Sequence, residues 1–482
     1  MFSEQVYRDR ALKQEIRDRF DRLAPKRERW QQRASYYYRQ QQNYYRFLIP
    51  EGARVLELGC GLGDLLAALN PKRGVGVDFS TEMIRLASQR HAQQPNLEFI
   101  TADLEIIELN ETFDFIILCD VIGHLIDVES TFKQLKPLCT PNTRVIISYY
   151  NFIWEGLFQL AETLRLKMPQ QQQNWLSPHD IAGLLQLADF EVVKSEKKIL
   201  IPKNLPPFTQ LVNKYLATLP ILNNLCLCSH FVARLQPNQS EQQSLSTTIV
   251  IPCRNEKGNI EPAIQRLPQF GSHQEVIFVD GHSTDGTVAE IERVMVAYPN
   301  VDIQLLIQDG KGKGDAVRKG FAAATGDVLM ILDADLTVPP EDLPKFYQAI
   351  ASNKGEYING SRLVYPMEDE AMRFLNLLAN RFFSVVFSWL LNQPIKDTLC
   401  GTKVISRENY AKLAANRKYF GEFDPFGDFD LILGASKLNL KFVEIPIRYR
   451  DRTYGSTNIS RFKHGFMLLG MTIFAFRKLK AI

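Results

Sequence analysis

Asp333 and Asp335 close the run Asp-Val-Leu-Met-Ile-Leu-Asp-Ala-Asp at 327–335. Its apolar middle predicts a buried strand. Side chains alternate along a strand with period two, so both carboxylates would leave its end on one face. Two hard oxygen ligands placed there suit a divalent cation, Mg²⁺ or Mn²⁺, that also holds a diphosphate. Just upstream, Gly310-Lys311-Gly312-Lys313-Gly314 precedes a helical pattern. Backbone N–H groups and the Lys313 ammonium in such a loop can face phosphates. The spacing is not that of a Walker loop, which also ends in Lys-Ser/Thr. A third constellation lies far from these, where Gly59-Cys60-Gly61-Leu62-Gly63 joins the apolar run Arg54–Leu58 to a helical pattern from Asp64 to Leu69. Glycines let a backbone turn sharply and approach a ligand without a Cβ in the way. A dinucleotide fingerprint would want glycine where Asp64 stands; the pattern is G-x-G-x-G with Glu57 just before it. The next strand, Gly74–Val77, ends in Asp78, a position where a carboxylate can accept both ribose hydroxyls.

These groups need separate scaffolds, because a chain of 482 residues exceeds one ordinary core. The polar stretch Gln236–Ser246, QPNQSEQQSLS, reads as a linker between domains at 1–235 and 247–482. On both sides of it apolar strands alternate with amphipathic helices, which predicts two α/β domains with mainly parallel sheets. A net charge of +3 gives no reason to expect nucleic acid. The seven cysteines are dispersed and odd in number, and Cys226 and Cys228 are too close together for zinc, so reduced thiols in a cytoplasmic protein are expected. Met1–Arg33 is charged and Gln-rich, unlike a signal peptide, and nowhere do eighteen apolar residues run together. The apolar stretch Gly465–Phe476 is flanked by Arg461, Lys463 and His464, then by Arg477, Lys478 and Lys480. It predicts either a helix lying at the inner membrane face or one docked on its own domain.

In the first half, further strands are expected over Leu97–Ile100 before Asp103, over Phe113–Leu118 before Asp120, and over Arg144–Ser148. VLELGCGLGDLL, GVGVDFS, FITADL, FDFIILCDVIGHL, LKPLCTPNTRVIIS and SPHDIAGLLQLADFEVV together resemble class I S-adenosylmethionine-dependent methyltransferases over about residues 45–195. The resemblance implies a Rossmann-like domain whose turn after Glu57, with Gly59, Gly61 and Gly63, lines the methionine end of S-adenosylmethionine. Asp78 would hold the ribose, Asp103 or Leu104 would meet the adenine, and Asp120 would close the pocket. His124 is either a general base or a packing histidine. Methyl transfer from a sulfonium needs alignment more than acid–base help. Tyr36, Tyr37, Tyr38, Tyr44 and Tyr45 either cap the acceptor pocket or pack a helix.

In the second half, a strand over Thr247–Ile251 runs into Pro252-Cys253-Arg254-Asn255-Glu256, with Pro262 expected in the first turn of the next helix. A strand over Glu275–Val279 ends at Asp280, before turn-forming and helix-capping residues. IVIPCRNEKGNI, VIFVDGHSTDGT, GKGKGDAVRKGFAAATGDV, LDADL and NGSR together resemble family-two glycosyltransferases of the GT-A fold, above all the polyprenyl-phosphate glycosyltransferases. The resemblance implies that Pro252, Glu256 and Asp280 contact the nucleoside of a nucleotide-diphosphate sugar. Asp333 and Asp335 would bind the metal and diphosphate, Arg362 the diphosphate or acceptor phosphate, and Arg452 the phosphate site. Gly281, Arg254, Thr337 and Asn458 depart from the mannose-synthase pattern, which leaves a uridine-diphosphate sugar as plausible a donor as GDP-mannose.

Asp397, in DTLCGTK, and Asp430, in FGDFDLIL, are candidate general bases. A hydroxyl acceptor needs one, a gain of about 10²–10⁴-fold. A lipid phosphate is already anionic and needs cations, for which Arg362, Arg373, Arg381, Arg448 and Arg452 are candidates. The apolar segment Arg373–Leu391 resembles the family's membrane-lying helices, with core packing as the other reading. The combined expectation is a bifunctional enzyme at the membrane surface, methylating from S-adenosylmethionine and glycosylating a polyprenyl phosphate. The alternative is a transferase to a hydroxyl acceptor in cell-surface polysaccharide synthesis, its first half a non-catalytic S-adenosylmethionine-binding module.

Overall fold

Strands whose residues are apolar on both faces need cover on both sides, and here they build two central sheets. The structure, a computed structural model, describes residues 2–168, 174, 176–237, 244–362, 374–419, 429–447, 454 and 461–481, and for 2–11, 374–380 and 461–465 the backbone alone. Two compact units are present, 1–236 with 480–482, and 237–479.

The first unit contains β1 (Arg54–Leu58), β2 (Arg73–Asp78), β3 (Leu97–Thr101), β4 (Phe113–Cys119), β5 (Cys139–Tyr150), β6 (Phe190–Lys198) and β7 (Cys228–Leu235). They form one sheet in the order β3-β2-β1-β4-β5-β7-β6. β1 to β5 are mutually parallel, while β7 runs antiparallel to β5 and β6. Val55, Leu56, Leu58, Ile116 and Leu118 are fully buried at its centre. The chain leaves β1 toward β2 and β3, then returns to β4 on the other side. That reversal opens a crevice at the carboxyl ends of β1 and β4.

The second unit contains β8 (Thr247–Cys253), β9 (Gln274–Asp280), β10 (Asp302–Ile307), β11 (Val328–Ile331), β12 (Tyr357–Ser361), β13 (Lys403–Ser406) and β14 (Phe442–Pro446). Their order is β10-β9-β8-β11-β13-β12-β14, with β13 antiparallel to both neighbours and the other pairs parallel. The same reversal occurs between β8 and β11, which places Cys253, Asp280 and the 333–335 segment at one edge.

Two local expectations change. β11 stops at Ile331, so Asp333 and Asp335 lie not on an extended chain but in the turn closed by Leu336 N–H to Asp333 O at 3.1 Å. The period-two argument for their shared face therefore does not apply; a turn brings them together instead, with Leu336 at φ +51°. Pro262 sits inside the helix Lys257–Gln265 beyond its first turn. The N–H it lacks would have met the Gly258 carbonyl. Among the described residues no helix is long and apolar enough to cross a membrane.

Candidate functional site

In the first unit the glycine turn leaves β1 with Gly59, Gly61 and Gly63 at φ +76°, +53° and +74°. Two of these glycines are required by packing. A Cβ on Gly59 would lie 2.6 Å from Val121, and one on Gly63 would lie 2.5 Å from Phe99. Gly61 differs: a Cβ there meets nothing within 4 Å. It borders open space, as a turn facing a ligand should. Asp78 fixes this turn, accepting from Gly61 N–H at 2.9 Å and Ser80 N–H at 3.0 Å. Burial raises its carboxyl above the usual range against those two bonds. Glu57 is buried behind the turn and accepts from Leu66 N–H at 3.0 Å. Burial pushes its carboxyl up to about 8, so it is protonated at neutral pH and acts as a scaffold, not as a charge.

Asp120 directly follows β4, with φ +55°. Burial lifts it to about 6, against hydrogen bonds that include one donated by the Tyr37 hydroxyl. Tyr37 is itself held by Gln41 Nε2 at 2.8 Å, so the tyrosine-rich helix Ser35–Leu48 reaches the crevice as well as packing. Tyr44 is turned elsewhere, donating to Glu196 at 2.8 Å. Asp103 accepts from Lys13 at 2.6 Å, a partner on the N-terminal helix that sequence reading missed. Nothing in its charged, unpatterned surroundings marks Lys13 out. His124 is half-buried and held near 4 by desolvation and by the charges of Arg27 and Lys167, with Phe20 edge-on at 5.3 Å. It is neutral at physiological pH. The open side of Gly61 and the carboxylates of Asp78 and Asp120 fit an adenosyl cofactor.

In the second unit the loops after β8 and β9 are tied together. Asn255 Oδ1 accepts from Thr284 N–H at 2.8 Å, and Glu256 N–H donates to Thr287 Oγ1 at 3.0 Å. Glu256 also accepts from Asn259 at 2.7 Å. Pro252 lies in β8 just before them. Asp280 is 1% exposed and accepts from Ser283 N–H at 3.0 Å through one oxygen. Its other oxygen is buried without a hydrogen-bond partner among the described residues. An orphaned carboxylate oxygen at a sheet edge fits a donor group on a ligand.

The glycine–lysine loop is more occupied than its composition suggests, because Gly310 N–H donates to Asp315 at 2.8 Å. Lys313 opens the helix Lys313–Ala323 and pairs with Asp333 at 2.7 Å. Burial pushes the Asp333 carboxyl up, but Lys313, with Lys403 and Arg362 behind it, outweighs burial and holds it below its ordinary value. Asp335 accepts from Thr337 Oγ1 at 2.8 Å. Among the described residues no three His, Cys, Asp or Glu side chains gather around a cation site. Two carboxylates suffice for Mg²⁺, which keeps waters and takes its remaining oxygens from phosphates.

Arg362 and Asp397 form a buried fork. Arg362 Nε and Nη2 donate to Asp397 at 2.7 and 2.8 Å, and its backbone N–H adds a bond at 3.0 Å. Burial pushes Asp397 up, but Arg362 and then Lys403 outweigh it and hold the carboxyl below its usual value. Glu444 props the segment from behind, accepting from Asp397 N–H at 3.1 Å and Lys396 N–H at 2.9 Å. Lys403 ends the motif DTLCGTK, where nothing local marks it as a site residue, yet it lies fully buried beside this cluster. Asp430 sits elsewhere, in a hollow with Leu413, Gly434 and Lys437, its carboxylate 3.4 Å from Arg417. Arg373, Arg448, Arg452 and Asn458 lie outside the described residues.

Family models match both halves: a methyltransferase domain over residues 9–195 and glycosyl transferase family 2 over 248–413. Dolichol-phosphate mannosyltransferase of Saccharomyces cerevisiae is 34% identical over 22% of this chain and 42% of its own length. The protein of the same name from Pyrococcus furiosus is 30% identical over 45% of this chain and 59% of its own. Dolichyl-phosphate beta-glucosyltransferase of Saccharomyces cerevisiae is 30% identical over 46% of this chain and 73% of its own. The chain thus spans about half the length of the first two relatives and nearly three quarters of the third. With its orphaned Asp280 oxygen, its Asp333 turn and its buried arginine fork, the second half belongs to glycosyl transferase family 2, and it is joined to a methyltransferase domain of Rossmann-like α/β fold.

Proposed function

We propose that the second half moves a sugar from a nucleotide-diphosphate donor, with inversion, to a polyprenyl-phosphate lipid, and that the first half moves a methyl group from S-adenosylmethionine. The domain limits follow the seam, 1–235 and 247–482 on either side of the linker. In the first half Gly59, Gly61 and Gly63 cradle the cofactor, Asp78 takes its ribose, and Asp103 and Asp120 flank its adenine and reacting ends. In the second, Pro252, Glu256 and Asp280 hold the nucleoside. Asp333 and Asp335 would hold Mg²⁺ or Mn²⁺, which would supply positive charge to neutralise the diphosphate. Lys313 and Arg362 lie beside them to face phosphate oxygens, with Arg452 assigned there from its motif. The acceptor oxygen attacks the anomeric carbon in line, and the bond to the diphosphate breaks.

The observation that carries the acceptor class is the Arg362–Asp397 fork. A carboxylate already bound to a guanidinium and held below its ordinary pKa is a poor proton acceptor. A phosphate nucleophile needs no such group and is drawn by cations. The dolichyl-phosphate transferases among the relatives support the same class. At the membrane, the C-terminal helix Arg461–Ala475 exposes Phe466, Leu469 and Ile473 on one stripe, with Leu468 and Met471 turned inward. That stripe supports a peripheral position at the inner membrane face. The test is transfer of labelled sugar to a short polyprenyl phosphate in detergent, against soluble alcohols and sugars. Efficient transfer to a soluble alcohol with none to polyprenyl phosphate would overturn this reading in favour of a hydroxyl acceptor.

A further inference from the structure

Between β6 and β7 the first unit turns its apolar side chains outward. The helix Phe208–Lys214 buries Thr209 and Val212, while Phe208 and Leu211 are exposed, and Tyr215, four residues after Leu211, continues their stripe. Leu219, Ile221 and Leu225 extend the outward face, Ile221 at 84% exposure. The helix Glu155–Thr163 has no buried residue and presents Leu157 and Leu160. Hydrogen bonds join the two stretches: Trp154 Nε1 donates to Leu225 O at 3.0 Å and Asn151 Nδ2 to Asn224 O at 2.9 Å. Apolar surface this continuous is uncommon on a protein that meets only water.

Charge indicates what covers it. From Lys197 to Ser240 the sequence contains no Asp or Glu, and Lys203 and Lys214 are exposed beside the apolar stripe. On the neighbouring helix Glu155 accepts from Gln159 at 3.3 Å and Glu162 pairs with Lys167 at 2.9 Å, while Arg165 is exposed. We propose that this face of the methyltransferase unit docks on an anionic lipid bilayer. Its leucine, isoleucine and phenylalanine side chains enter the acyl boundary, and Lys203 and Lys214 meet headgroup phosphates. The face is distinct from the helix stripe of the second unit. It also borders the acceptor side of the cofactor crevice: Phe158 stands edge-on to Tyr150 at 5.0 Å, Tyr150 lies 6.0 Å from Tyr37, and Tyr37 donates to Asp120.

Hydrogen exchange on the full chain reads this face separately from the second unit. Vesicles of phosphatidylcholine with about 30% phosphatidylglycerol should slow amide exchange over 205–225 and 155–164, and added salt should weaken the effect. The triple variant Leu211→Glu/Leu219→Glu/Ile221→Glu should lose that local protection and bind vesicles about tenfold less tightly, with S-adenosylmethionine affinity unchanged as the check on folding. Exchange over 205–225 that vesicles leave unchanged would overturn the proposal. Two such results would name another occupant: protection that rises with protein concentration without lipid marks a second copy, and protection already present in the monomer marks cover by the chain itself.

Discussion

Replacing Asp397 by asparagine separates a base from a positioning group. The side chain is 1% exposed and accepts four hydrogen bonds, three from Arg362 and one from Leu399 N–H at 3.2 Å. The substituted asparagine would keep the volume but remove the charge, and its amide N–H₂ would face donors of Arg362. Breaking a buried ion pair on one side costs about 3–5 kcal/mol. Against a domain stability of about 5–15 kcal/mol that is a large fraction. The melting transition of the second unit should fall by roughly 6–20 °C, at about 2–4 °C per kcal/mol for a unit of this size. The methyltransferase transition should stay where it is. Because the folded carboxyl is held below its unfolded value, the stabilisation is complete above about pH 4 and is lost as pH falls through the folded value. Wild type and Asp397→Asn should therefore differ at pH 7 and converge only as pH falls through the folded value of Asp397. In sugar transfer, a displaced Arg362 should raise KM for the phosphate-bearing substrates and leave the shape of the pH–rate profile intact. Melting unchanged at pH 7, or loss of the acidic limb of the profile with KM unaltered, would refute the reasoning and make Asp397 the base.

Gly61→Val places its side chain in open space, so the first unit should fold despite strain at φ +53° of about 1–2 kcal/mol; calorimetry should find S-adenosylmethionine binding weakened about tenfold or more while sugar transfer persists. Asp335→Asn removes a proposed cation ligand and should cut sugar transfer by about 10²-fold or more without touching S-adenosylmethionine binding, and near-normal transfer would remove Asp335 from the proposed metal site. Glu57 has a folded pKa raised to about 8, so its folded form holds the proton more tightly and stability should fall as pH climbs from about 4.3 to that value. Glu57→Gln should lack this fall, and the gap between the two melting curves should widen in favour of glutamine from pH 5 to 8.

The strands that end at the two sites were legible because parallel strands covered on both faces leave unbroken apolar runs in the sequence, whereas β10, β12, β13 and β14 of the second sheet were not foreseen. β1 was expected at Arg54–Leu58 and lies there. β7 was not foreseen. Its run Cys228–Leu235 mixes Ser229, His230 and Arg234 with apolar residues, and these polar side chains are nonetheless buried. Arg234 is fully buried on Glu191 of β6 at 2.7 Å, a pairing that no local pattern announces. The carboxylates at 333–335 were found by their types, but the reason given for their spacing failed. Strand propensity continues through Leu332, whereas pairing with β8 and β13 ends at Ile331 and Met330, with a last bond from Leu332 N–H to Val250 O at 3.0 Å. Composition shows where a chain wants to extend; the partner strand decides where the ladder ends.

The same limit applies to Asp397. In sequence it is a candidate base in the motif DTLCGTK, so its role turns on whether its charge is available. The fold answers by closing Arg362 onto it and by setting Glu444 behind its backbone. Asp333 is likewise engaged, with Lys313 at 2.7 Å and Lys403 and Arg362 contributing to its low pKa. Asp333 and Asp397 thus each answer a cation, and Arg362 gains a fixed direction at small entropic cost, since its guanidinium is planar and rigid. A site of this kind is prepared to accept negative charge from outside. Abstraction of a proton by Asp397 would first require the buried fork to open, which forfeits the interactions that hold Arg362 in place. A nucleophile that arrives already charged avoids that step, and it uses the cations the fold has gathered.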